Sequence, residues 1–170
     1  VKIFGGVPLF TDGRLTASDS NTLKRATKAE VYAQIEKDLQ DAITAFSATK
    51  KTNGRVTAFT AHALLGKVYL YQDKFEEAAN ILEPLIGLYT LPSNFQSVFL
   101  NSGENGPESV FEVQHSKNSN WWDWGFPQGS EGSYAIIHHG PRGYNGTVYA
   151  SGWSFNVPTQ DLYDAFDVND

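Results

Sequence analysis

Three indoles crowd one short run, Trp121-Trp122-Asp123-Trp124, followed directly by Gly125-Phe126. The chemistry such a run offers is non-covalent. A flat ring buries much area with few rotatable bonds, so it makes a contact platform of low entropic cost. It suits a partner with an apolar C–H face and a polar rim, as sugar rings have. Asn118, Asn120, Asp123, Gln128, Arg142 and Asn145 lie nearby in sequence and carry the groups such a rim would bond. Trp121, Trp122, Trp124, Asp123, Asn120, Arg142 and Tyr144 are therefore the candidate ligand-binding set, within a candidate surface spanning 118–155. In extended backbone, alternate residues share a face, which pairs Trp122 with Trp124 and turns Trp121 away. A packing role competes with this one, because aromatic rings in glycine-rich loops also pin those loops to a scaffold. An Asp123–Arg142 ion pair would take both residues out of ligand contact. Trp153 and Phe155 are assigned to the core, while Tyr144 and Tyr149 are open to either role.

Other constellations carry less. His138-His139 suggests a metal, but neighbours on a strand point apart and no third ligand stands at useful spacing for zinc. A structural or loop role is expected for both. Asp164, Asp167, Asn169 and Asp170 lack the glycine-centred spacing of an EF-hand loop and read as a solvated helix end. A glycoside hydrolase would need two carboxylates about 5–10 Å apart. Asp123 and Glu131 are the pair on offer, with nothing marking either as a raised-pKa acid, so no enzyme activity and no catalytic residue are assigned. Gly5-Gly6 and Gly103 to Gly106 are turn glycines without a phosphate-loop pattern. No cofactor and no metal are expected.

Composition narrows the classes further. The 170 residues are 41% hydrophobic and 19% charged, as in a globular chain with room for a sizeable core. A formal charge of −6 leaves no electrostatic footprint for nucleic acid and opposes docking on anionic lipid. No window approaches the roughly 18 apolar residues of a membrane helix, and VKIFGGVPLF has no signal-peptide pattern. The absence of cysteine removes thiol chemistry and disulfides. The chain also lacks methionine, and it is expected to be a segment of a longer protein.

Helical elements must position the candidate surface. Residues 1–26 read as extended and loop-rich, with turns at Gly5-Gly6, Pro8 and Asp12-Gly13. A helix is predicted from about Lys28 to Phe46, opened by a Thr27/Glu30 capping box. Its stripe is Val31, Ile35, Leu39, Ile43 and Phe46. Two more follow at about 57–72 and 74–88, and the short Gln72-Asp73 connection makes them antiparallel neighbours. Leu65, Gly66, Tyr69, Phe75, Ala78 and Leu82 carry tetratricopeptide-type (TPR-type) spacing: Gly66 and Ala78 permit close approach, and the larger residues fill the space around it. Such a hairpin needs neighbouring helices to bury its apolar face. Pro84 predicts a kink or an early end. Beyond the loop-like stretch 91–107, Ser109 to Gln114 reads as a strand. Residues 116–160 are glycine-rich, aromatic-rich and nearly uncharged, and hold all four Trp. A short helix closes the chain at 158–167, with Leu162 and Phe166 on one face.

The order of these pieces resembles the SusD/RagB family of Bacteroidetes outer-membrane nutrient-binding lipoproteins. FGGVPL at 4–9, RATKAEVYAQIEKDLQDAI at 25–43, GRVTAFTAHALLGKVYLY at 54–71, NGPESVFEVQ at 105–114 and PTQDLYDAFDVND at 158–170 carry the likeness. The resemblance implies a mainly α, SusD-like fold: TPR-like hairpins bearing an irregular, aromatic-rich lobe with short strands. Residues 1–115 would be scaffold and 116–170 the lobe, within one structural domain of a longer protein. It implies a non-catalytic protein on the cell-surface face of the outer membrane, attached by a lipid anchor absent from this chain. Such a protein would deliver oligosaccharide to a TonB-dependent transporter of the SusC type. A peptide-binding member of the same family and a TPR-type protein-interaction scaffold are the alternatives. No family motif places a ligand residue on this chain, so the site set rests on the residues alone.

Overall fold

The computed structural model describes residues 1–11, 13–49, 54–115, 135–147 and 151–167. The chain divides into two compact units, Val1–Val113 and Gln114–Asp170.

Three helices build the first unit: α2 (Lys28–Ala45), α3 (Ala58–Leu70) and α4 (Phe75–Leu82), preceded by a short α1 (Ala17–Ser20). Helix α2 starts where the predicted capping box sits. The Thr27 hydroxyl accepts from the Glu30 N–H, and a Glu30 carboxylate oxygen accepts from the Thr27 N–H at 2.7 Å. Thr57 and Thr60 form the same reciprocal pair at the start of α3. Two orphan backbone donors are satisfied at each end this way.

Helix α3 lies between α2 and α4 and packs against both. The buried cluster is Tyr32, Leu65, Val68, Tyr69 and Ala78, with Ile35, Leu39, Ile43 and Ile81 packed on it. Leu65 at its centre is 0% exposed. The predicted apolar stripe of α2 thus reaches the core from Val31 to Ile43, but Phe46, the C-terminal cap, is exposed. Phe75 also departs from expectation: expected to fill the hairpin interior, it is 64% exposed at the first position of α4. Gly66 and Ala78 do what their size suggests. A Cβ on Gly66 would lie 2.6 Å from Leu82 Cγ, so only glycine allows α4 to sit this close.

Polar contacts fix the hairpin at both ends. Asp73 adopts φ 59° in the turn between α3 and α4, and the Lys74 N–H returns to the Tyr69 carbonyl. Glu36 on α2 accepts from Gln72 Nε2 and Lys74 Nζ, each at 2.6 Å, which ties α2 to that turn. At the far end the His62 ring nitrogen Nδ1 bonds the Ile81 carbonyl. Helix α4 stops at Leu82 and tightens into a 3₁₀ turn at Glu83–Leu85, the early end that Pro84 dictates.

The amino-terminal segment lies along this scaffold. Val1 packs against the core, and Lys2 Nζ donates to the Tyr71 hydroxyl at 2.9 Å. Pro8 and Arg25 form an isolated antiparallel bridge, and the Ala26 N–H donates to the Val7 carbonyl. A side chain on Gly6 would strike the Ala26 carbonyl oxygen, which explains the small residue there. The Arg25 guanidinium donates to the Gly6 and Phe4 carbonyls and holds the turn down.

After α4 the chain is irregular, with 3₁₀ turns at Phe95–Phe99 and Asn101–Gly103. The Thr90 N–H bonds the Pro107 carbonyl and closes the base of this excursion. Residues 109–114, predicted as a strand, form none. The β-branched content is there, but no described segment runs alongside to complete a ladder, and Glu112 instead accepts the Asn105 N–H with both carboxylate oxygens. Among the described residues, sheet pairing is limited to two isolated bridges, Pro8 with Arg25 and Arg142 with Gly152.

The second unit contains α5 (Ala135–His139) and α6 (Gln160–Asp164), the latter capped by the Thr159 hydroxyl. The helix expected over 158–167 is present in this shorter form. Leu162 and Phe166 are both exposed. No described helix is long and apolar enough to cross a membrane.

Candidate functional site

Of the seven candidate ligand residues, Asn120, Trp121, Trp122, Asp123 and Trp124 lie outside the described residues, as do Glu131 and Tyr149. Arg142 and Tyr144 are described. Both sit in the turn that follows α5, where Gly143 takes φ 70°. Tyr144 is half-buried and its ring folds over Gly146.

Arg142 faces its own loop. Its Nε and one terminal nitrogen both donate to the Trp153 carbonyl, at 3.0 and 2.7 Å. Its backbone N–H donates to Ser154 Oγ at 2.8 Å. The guanidinium carbon stands 5.8 Å from the centre of the Phe155 ring, within cation–π reach. One residue therefore clamps two strands of chain, 140–142 and 152–155. Backbone bonds from Gly152 to Pro141, from Ser154 to Gly140 and from Phe155 to His138 complete the zipper.

Inside this clamp three rings meet. His138, Trp153 and Phe155 have centroids 5.4–6.0 Å apart in tilted or edge-on arrangement, the geometry aromatic quadrupoles favour. The two histidines, expected in a structural or loop role, sit on the short helix α5. His138 packs with the rings. His139 bonds the Ala135 carbonyl through Nδ1 and Asn156 Nδ2 through Nε2, at 2.7 Å each. An amide N–H pointing at Nε2 makes that nitrogen the acceptor and assigns the ring proton to Nδ1. Both histidines thus have structural work. Among the described residues no group of three His, Cys, Asp or Glu could hold a metal ion.

Trp153 and Phe155, assigned to the core from sequence, part company. Trp153 is half-buried, whereas Phe155 is 65% exposed. The turn between them explains it: Ser154 takes a left-handed φ of 53°, which swings the next side chain outward. Serine carries no signal for such a backbone, so the sequence does not announce it.

A separate concavity of about 660 Å³ lies within the first unit, lined from the stretch 91–112, read from sequence as a loop at 91–107 and a strand from 109. Leu91, Pro92, Val98 and Phe99 form apolar walls, and Glu104, Glu108 and Glu112 also line it.

Comparison with known proteins places these features in context. A family model described as SusD-like, starch-binding and associating with the outer membrane matches residues 1–70. SusD-like protein P2 of Formosa agariphila is 27% identical over 176 residues, covering 100% of this chain and 34% of its own length. SusD-like protein P38 of the same organism is 26% identical over 67% of this chain and 25% of its own. The chain therefore spans between a quarter and about a third of the curated relatives it matches. A SusD superfamily protein from Bacteroides vulgatus is similar in structure, with TM-score 0.54 and 38% identity over 65% of this chain and 24% of that one. Surface glycan-binding protein A from Bacteroides thetaiotaomicron, solved in complex with laminarihexaose, matches with TM-score 0.71 and 24% identity over 86% of this chain and 34% of that one. That last likeness concerns the fold.

Proposed function

Starting from the premise that this chain belongs to the SusD-like family, we propose that it binds oligosaccharide without chemical turnover. The match to a starch-binding family model is the observation that carries the reading. The composition of the lobe supports it, since a nearly uncharged stretch rich in Trp and Phe suits neutral ligands with C–H faces. In this reading Trp121, Trp122 and Trp124 supply ring contacts, and Asp123, Asn120, Arg142 and Tyr144 serve the polar edges. The longer protein would sit on the outer face of the outer membrane and pass its ligand to a TonB-dependent transporter of the SusC type.

Isothermal titration with laminarihexaose and with soluble starch tests the binding step. Saturable binding with no release of reducing ends is expected, weakened in Trp122→Ala and Trp124→Ala. Absence of binding to both, together with capture of peptides, would shift the reading to the peptide-binding branch of the family. Steady growth of reducing ends would overturn it. Co-purification of the full-length protein with a SusC-type barrel checks the transporter step.

A further inference from the structure

We infer that Phe155 is a ligand-contact residue, a fixed ring on which a pyranose stacks; this rests on the glycan-binding reading above. Many apolar side chains are exposed on this chain, but Phe155 is held in a way that a loose surface ring is not. Its ring centre lies 5.4 Å from that of Trp153 and 6.0 Å from that of His138. The Arg142 guanidinium lies over the ring, 5.8 Å from its centre, and is itself anchored by two bonds to the Trp153 carbonyl. The ring is turned outward by Ser154 at φ 53°, a conformation that costs a non-glycine residue energy and persists where the surroundings enforce it. Two contacts enforce it: Ser154 donates its N–H to the Gly140 carbonyl and its Oγ accepts from the Arg142 N–H.

A ring immobilised before binding loses little freedom on binding. Phe155 stays 65% exposed, and the part of the ring left open matches a sugar whose C–H groups lie together on one side. The site therefore favours neutral hexopyranoses with an unbroken C–H face, glucose-type units among them, over ligands that lack one.

The experiment compares wild type with Phe155→Tyr, Phe155→Leu and Phe155→Ala on the full chain, using laminarihexaose and soluble starch as probes and circular dichroism as the check on folding. Loss of one aromatic contact predicts affinity about tenfold weaker for the Leu and Ala variants. Phe155→Tyr keeps the flat ring and should bind as wild type does. Trp153, against the same ring, should change its emission on ligand addition. If wild type binds and the Leu and Ala variants bind equally well, Phe155 is not a contact and the glycan-binding reading stands without it. If wild type binds neither probe, the glycan-binding reading fails for this chain and the contact assignment fails with it.

Discussion

Gly66 on α3 and Leu82 on α4 touch so closely that an added methyl at Gly66 would fall 2.6 Å from the Leu82 branch carbon. It would meet the whole branched end of the side chain, Cγ and one methyl at 2.6 Å and the other methyl at 2.9 Å, so the entire Leu82 side chain would have to shift. Gly66→Ala is therefore expected to destabilise despite the roughly 1 kcal/mol that alanine gains in helix propensity, because overpacking costs about 1–3 kcal/mol. A lower urea midpoint in the single variant, partly restored in Gly66→Ala/Leu82→Ala, would mark the contact as the cause. An unchanged midpoint would place the helices further apart.

Leu65 and Leu39 separate two grades of burial. Leu65 is fully enclosed, whereas Leu39 packs on the cluster from a partly exposed position. Leu65→Ala should cost about 2–5 kcal/mol. Leu39→Ala should cost about half as much, since less apolar area leaves water there. Equilibrium unfolding of both variants checks the order, and a larger loss at Leu39 would contradict the packing.

Acid should loosen the start of α2. The Thr27 N–H and then the Thr27 hydroxyl hold the Glu30 carboxyl below its ordinary value of 4.5. A depressed carboxylate contributes stability that is present above the ordinary pKa and is lost as pH falls through the lowered one. Wild type should therefore exceed Glu30→Gln in stability at neutral pH, with the gap closing as pH drops below about 4.5. Thermal melts across that range read the gap, and a gap that widens in acid would reverse the assignment. Thr27→Ala removes the reciprocal cap and should cost about 1 kcal/mol at neutral pH.

Arg142 offers a test of the clamp in the second unit. Lysine keeps the charge but has no planar fork, so Arg142→Lys cannot reproduce the two converging bonds to the Trp153 carbonyl oxygen. Faster hydrogen exchange is expected at the Gly152 and Ser154 amides, which pair with Pro141 and Gly140. The exchange of α3 amides should stay as it is. Unaltered exchange at 152 and 154 would show that the backbone bonds hold the zipper alone.

Much of the helical scaffold was legible because its signals are local. A Thr three residues before a Glu, an apolar stripe at helical spacing and a proline after Leu82 each act within a turn or two of chain. What a side chain faces is not local. Phe75 occupies a motif position yet points outward, because α4 opens there and no described element covers it. Ser109 to Gln114 has strand-like residues, but a strand is a pairing, and pairing needs a second segment. Phe155 was misread for the same kind of reason: its exposure follows from the backbone of Ser154, a residue whose type gives no hint of a positive φ. The helical turn under His138 and His139 gave no signal, because periodicity over so few residues does not separate a single helical turn from a loop.

The bond between the Thr90 N–H and the Pro107 carbonyl has a bearing on how such chains diversify. It pinches the polypeptide where it leaves the helices and where it returns, so the span between can be rewritten while its two anchor points stay put. Doubling the length of a tethered span costs only about 0.6 kcal/mol in closure entropy. Insertions between Pro92 and Gly106 are therefore the cheapest way to remodel this molecule's surface, and relatives of differing length should vary there before they vary in α3.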